Sequence, residues 1–469
     1  MRAALLAAAL TLPLGAAAQN ATIAPETRGA LEQLLGRALS TDGAYETLRS
    51  LTDLVGPRLA GSAGDRAAVA WGLATLKAQG FANVRAEKVM VPHWERGEET
   101  GALLAPVARP LALTALGGSV ATPPLGVEAE VVEVDSLEAA DALGEKARGK
   151  IVLFYKRTPR AREGSGYGAV VPMRADGASR AARHGAVGML IRSVSTSDTR
   201  LPHTGAMKYA ADQPQIPAAA LATPDADLLH RLLQSGQSVR VRFRLTCRTL
   251  PDAESANVVG EVLGREKPRE IVVVGGHLDS WDLGQGAVDD GAGCAIAMEA
   301  ARLIGSLGRR PRRTVRVVLF ANEENGARGA EAYEKEHQSE LDRHVAAIES
   351  DSGAGRALGF RWNAGPGSEP VVNELARLLA SIGAGDAQKR GDGGVDILPM
   401  KKQGVPLLGV WQDASKYFDI HHSADDTFDK VDAEELRGSV AVMAVLAYAL
   451  ADLSEPLPRI PEAERTKKP

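Results

Sequence analysis

From Pro251 onward the chain repeats one unit: a near-continuous apolar run, a polar break, then a segment with helical apolar spacing. The runs are IVVVGG (271–276), TVRVVLFA (314–321), VAAIES (345–350) and PLLGVW (406–411). AIAMEAARLIGSLG, an Ala/Glu-rich segment, VVNELARLLASIG and a last segment from about residue 433 provide the helical pattern. A strand apolar at every position has no face for water, so it must be covered on both sides. The pattern therefore predicts an α/β fold with a mixed, largely parallel sheet and helices on both faces. In such sheets ligands bind beyond the carboxyl ends of the strands.

Those ends carry the chemistry. His277 and Asp279 follow the first run, Glu323 and Glu324 the second, Asp351 the third, and His421 and His422 come soon after the fourth. One acidic or imidazole group after a strand is most often a solvated loop residue. Four successive strand ends, joined by Asp289, call for a common cause. Imidazole nitrogen and carboxylate oxygen without thiolate suit catalytic rather than structural zinc. His277, Asp289, Glu324, Asp351 and His422 supply enough donors for two Zn2+ ions sharing Asp289. Glu323 then remains beside a donor, where a carboxylate can act as general base on a bridging water. Asp279 can accept the free ring N–H of His277.

The remaining sequence sets the frame. A chain of 469 residues exceeds what one core usually supports, so a second domain or a large insertion is expected. The formal net charge of −4 provides no electrostatic footprint for nucleic acid or an anionic membrane, which leaves small or neutral partners. The N-terminus MRAALLAAALTLPLGAAAQN has the layout of a cleavable signal over residues 1–18, cut near Ala18, and predicts a periplasmic or secreted protein. SVAVMAVLAYALADL (439–453) is too short to span a membrane and reads as a buried helix, so no anchor is expected in the mature chain. Cys247 and Cys294 read as separate buried thiols. Residues 112–247 change texture to short β-branched runs with few helices, which predicts a β-rich insertion. The main frame is then split into 19–111 and 248–455, followed by a polar tail at 456–469.

GGHLDSWDLGQGAVDDGAG, ANEENGARGA, ESDSG and HHSADDT together resemble the motifs of the co-catalytic zinc exopeptidases, the family that includes leucyl aminopeptidases and glutamate carboxypeptidases. The resemblance implies that His277 and Asp351 hold one zinc, Glu324 and His422 the other, with Asp289 shared and Glu323 as base. It implies that His422, in H-S-A-D-D-T, is the ligand and His421 its neighbour, and that a cis peptide bond links Asp289 to Asp290. It also implies that the insertion is a protease-associated-like domain over the cleft, that the PHTG loop with His203 lies near the substrate, and that the protein pairs as a homodimer. The expected activity is hydrolysis of dipeptides or short peptides. An aminopeptidase is the first alternative; a receptor-like protein without catalysis, or a single-zinc glutaminyl cyclase, are the others. Asp282 and Asp396 receive no role at this level.

Overall fold

The computed structural model describes residues 23–466; the predicted signal segment lies outside them, as do the last residues of the tail. One eight-stranded sheet runs in the order Ala82–Glu95, Arg248–Val262, Arg313–Phe320, Lys267–His277, His344–Glu349, Leu407–Gln412, Ala357–Asn363, Asp386–Gln388. Its centre is parallel: Lys267–His277 pairs in parallel with Arg313–Phe320 and with His344–Glu349, which pairs in parallel with Leu407–Gln412. The outer pairings around Arg248–Val262 and Ala357–Asn363 include antiparallel ones, so the sheet is mixed.

Alternate residues of the central strands feed two cores. Val272, Val274, Val315 and Val317 pack with helices Ala292–Gly305 and Ala433–Asp452. Val273, Val318 and Ala347 pack on the other face with Tyr333, Leu341 and Met400. Double-sided burial is why these strands carry no polar alternation. Register then aligns their ends: His277 stands beside Phe320, and Glu349 beside both Gly275 and Gly409. Helix Ala433–Asp452 is covered along most of its length, and among the described residues no helix is long and apolar enough to cross a membrane.

The insertion forms a second eight-stranded sheet, ordered Arg109–Leu111, Glu99–Ala105, Arg240–Leu245, Val127–Val134, Ile151–Phe154, Gly188–Arg192, Ala218–Leu221, Leu113–Ala115. Its two edge strands are consecutive in the chain, so the segment from Arg109 to Ala115 closes the sheet towards a barrel and removes open edges. This sheet takes up chain from Glu99 onward, ahead of the change of texture at residue 112, because Glu99–Ala105 pairs with Arg240–Leu245. Cys247 and Cys294 are both free and buried. The C-terminal segment is less polar in its packing than its composition suggests: Leu457 and Ile460 are buried.

Under the main sheet, Arg316 donates to the Tyr333 hydroxyl (3.0 Å), which stands 2.9 Å from His344 Nε2, while His344 Nδ1 stands 3.0 Å from the Glu340 carbonyl. Burial lowers the His344 pKa from 6.5 to about 4, so the ring is neutral in the fold. The folded value lies below the unfolded one. The contribution of this ring is therefore complete above pH 6.5 and disappears as pH falls through about 4. Urea unfolding should show a stability loss of about 3 kcal/mol across that window, and His344→Gln should flatten it.

Candidate metal centre

The parallel strand ends and the turn Ala287–Gly291 converge on one buried cluster. Asp289 is its centre: Oδ1 lies 3.2 Å from His277 Nε2, and Oδ2 lies 3.2 Å from His422 Nε2. His277 Nε2 is also 3.7 Å from Asp351 Oδ1, and His422 Nε2 is 3.0 Å from Glu324 Oε2. Two donors bound to one tetrahedral ion at about 2.0 Å stand about 3.3 Å apart, so these separations fit donors converging on cations. A second observation agrees. Asp289 Oδ2 is buried and, despite its closeness to His422, accepts no hydrogen bond of proper direction. Cys294, whose thiol points to the His277 carbonyl, is not a donor to the cluster. His421 stacks on His422 with ring centroids 3.8 Å apart, and it can join Asp289 and His422 as a third donor.

Each imidazole is aimed by a carbonyl. His277 Nδ1–H reaches the backbone oxygen of Asp279 at 3.0 Å, whereas the Asp279 carboxylate is 3.8 Å away. That carboxylate instead accepts the backbone N–H groups of Glu323 (3.0 Å) and Glu324 (3.3 Å). Asp290 accepts from the N–H groups of His277 and Gly293, both at 3.1 Å, and the Asp289–Asp290 peptide bond is cis, as the resemblance implies. A side chain at Gly276 would collide with the Asp290 carboxylate, which explains the glycine before His277.

His422 is aimed from the insertion. Its Nδ1–H points to the Thr204 carbonyl (3.3 Å), and its own carbonyl accepts the Thr204 N–H (2.9 Å). His422 has φ 61°, a left-handed conformation that a residue with a side chain holds only when its neighbours fix it. His203 Nδ1 lies 2.7 Å from the His421 carbonyl, and Arg160 holds both Asp419 oxygens, at 2.9 and 2.7 Å. From the other side Trp281 enters the insertion core, where Gly117 leaves room for its ring. Asp282 receives Arg96 on both oxygens at 2.8 and 2.6 Å, and Arg96 also reaches Thr204 Oγ1 at 3.3 Å.

Sequence reading missed three supports. Arg58, fully buried, donates to the carbonyls of Leu278, Gln285 and Gly286 and so shapes the aspartate-rich loop. Asp426 accepts from the N–H groups of Val288 (2.7 Å) and Asp289 (3.3 Å). Thr204 acts through its backbone. Asp426 had a visible signal, as the second aspartate of HHSADDT; the other two have partners far away in sequence.

The carboxylates crowd one another. Burial pushes Glu324 up to about 7, with Asp289 adding repulsion. Burial also raises Glu323 well above the usual range, opposed by His277 and assisted by Asp351 and Glu324. Asp396 is raised by burial and by Glu349, and both its oxygens are buried without partners. Among the described residues the Glu323 carboxylate has no hydrogen-bond partner, and it lines an open cleft with Glu324. Such a concentration of unneutralised acid is what bound cations would relieve.

A mixed sheet with this donor set at its parallel strand ends, covered by a β-rich insertion, defines a metallo-exopeptidase. The chain belongs to peptidase family M28. The model of that family matches residues 257–447, and a PA domain matches residues 125–229. Carboxypeptidase Q of Bos taurus is 39% identical over 416 residues, covering 89% of this chain and 87% of that protein. The crystal structure of a peptidase M28 precursor from Shewanella amazonensis superposes with a TM-score of 0.91 at 41% identity, covering 93% of this chain and 99% of that one. A zinc aminopeptidase from Bacillus subtilis shares the fold, with a TM-score of 0.63 at 22% identity, over 88% of this chain and 97% of that one.

Asp279→Asn should weaken metal binding roughly 10- to 100-fold, because the amide puts an NH2 group against one of the two N–H groups that the carboxylate holds. Zinc titration against a competing chelator measures this; unchanged affinity would remove the role given to Asp279.

Proposed function

We propose that the protein is an exported zinc exopeptidase that cleaves dipeptides or short peptides and holds two zinc ions. His277 and Asp351 bind one ion, Glu324 and His422 the other, and Asp289 both. The observation that carries this reading is the single Asp289 carboxylate with one oxygen 3.2 Å from each of two imidazole Nε2 atoms. Zinc bound there would acidify water and polarise the scissile carbonyl.

The protein's own groups complete the reaction. Among the described residues no hydrogen bond ties up the Glu323 carboxylate, and it lines the open cleft. It takes a proton from the attacking water as the oxygen joins the carbonyl carbon. It returns that proton to the nitrogen as the C–N bond breaks, releasing a free amine and a carboxylate. His277 and His422 keep Nε2 free for the ions, since each Nδ1–H is occupied by a carbonyl. The complete donor set together with an unpaired Glu323 favours catalysis over a receptor role. The likeness to Carboxypeptidase Q favours release of a C-terminal residue over aminopeptidase action.

Elemental analysis should find about two zinc per chain, and a chelator should abolish hydrolysis. One zinc or none would count against the site. Glu323→Gln should keep its metal and lose roughly 10²- to 10⁴-fold in kcat; undiminished turnover would exclude Glu323 as the base.

A further inference from the structure

The cleft beside Glu323 is walled on one side by the main domain and on the other by the insertion, which contributes the segment from Ala206 to Lys208. Its volume is about 380 Å³, towards the lower end of small-molecule pockets and enough for one amino acid. Trp94 and Met207 are apolar walls, Asn325 is neutral, and the acids that line it are Glu323 and Glu324. Lys208 lines the same cleft, from the insertion. Its backbone is fixed to helix Val171–Ala182, its N–H donating to Ala175 O at 2.9 Å and its carbonyl accepting Ser179 Oγ at 3.4 Å. Its side chain is exposed, and among the described residues its ammonium has no ion-pair partner. His93, the other basic group of the cleft, faces Glu95 at 3.6 Å.

A general base that protonates the leaving nitrogen must come within hydrogen-bond distance of it. The amino acid being released therefore occupies the space onto which Glu323 opens. We infer that this cleft receives the C-terminal residue of the substrate and that Lys208 binds its free α-carboxylate. The inference rests on the peptidase reading above and adds the terminus that is recognised. An unpaired ammonium is a point charge that matches a carboxylate. A group selecting a free ammonium would have to be acidic, and the two acids here are committed: Glu324 to His422 and the Trp281 N–H, Glu323 to the proton. The apolar walls match an uncharged side chain on the released residue.

The test compares an apolar dipeptide with its C-terminal amide on zinc-loaded wild type and on Lys208→Met, checking zinc content and melting temperature for both. For the free dipeptide the substitution should raise KM roughly 10- to 100-fold with kcat nearly kept, the effect of losing one charge-assisted contact. For the amide it should leave kcat/KM unchanged, and Lys208→Arg should recover part of the free-dipeptide KM. Equal effects on both substrates, or none on the free dipeptide, would overturn the inference and leave the peptidase reading intact. A zinc-loaded wild type that cleaves neither substrate would refute the peptidase reading and this inference with it.

Discussion

Everything about the site follows from placing more negative charge in a buried volume than the protein itself can neutralise. Asp289 lies between two imidazoles, with Glu324, Asp351, Asp290 and Glu323 around it. Burying an ionised carboxylate without a partner costs several kcal/mol, and a fold pays it only when something else repays it. The backbone supplies part of the compensation: Asp279, Asp290 and Asp426 each accept two N–H groups. Those carboxylates orient peptide groups, while the ones left facing inward are free to meet cations. The division of labour among residues of one chemical type is made by position alone.

The second theme is that two separately folded sheets build one site. The main sheet provides donor residues at its strand ends, and the insertion fixes the loop that carries His422 through Thr204, His203 and Arg160. Trp281 and the Arg96–Asp282 pair tie the aspartate-rich loop to the same body. The insertion is thus part of the frame that holds the imidazole in its left-handed backbone conformation.

Much of this was legible in the sequence, for a physical reason. Strands buried on both faces cannot hide their pattern, and parallel alignment puts their ends together, so His277, Glu323, Glu324, Asp351 and His422 could be grouped without coordinates. What escaped depends on contacts that leave no local trace. Helix Gly43–Leu54 is not anticipated from the sequence, although Ala44, Leu48 and Leu51 recur at helical spacing and are buried. The insertion sheet begins at Glu99, before any compositional change, because pairing with Arg240–Leu245 decides membership. Arg58 and Thr204 act on or through backbone carbonyls more than 200 residues away, which no motif encodes. Asp279 is expected to accept the ring N–H of His277 through its carboxylate, but its carbonyl does so, while the carboxylate serves the backbone of the two glutamates.

The grip of the insertion on the His422 loop also bears on how substrates enter. A roof that could swing open would have to release Thr204 from His422 and so loosen an imidazole of the metal site each time. The two hydrogen bonds between Thr204 and His422 therefore couple any movement of the insertion to the position of that imidazole. The lining of the cleft at Ala206–Lys208 and the aim of one donor imidazole are thus set by the same short stretch of the insertion.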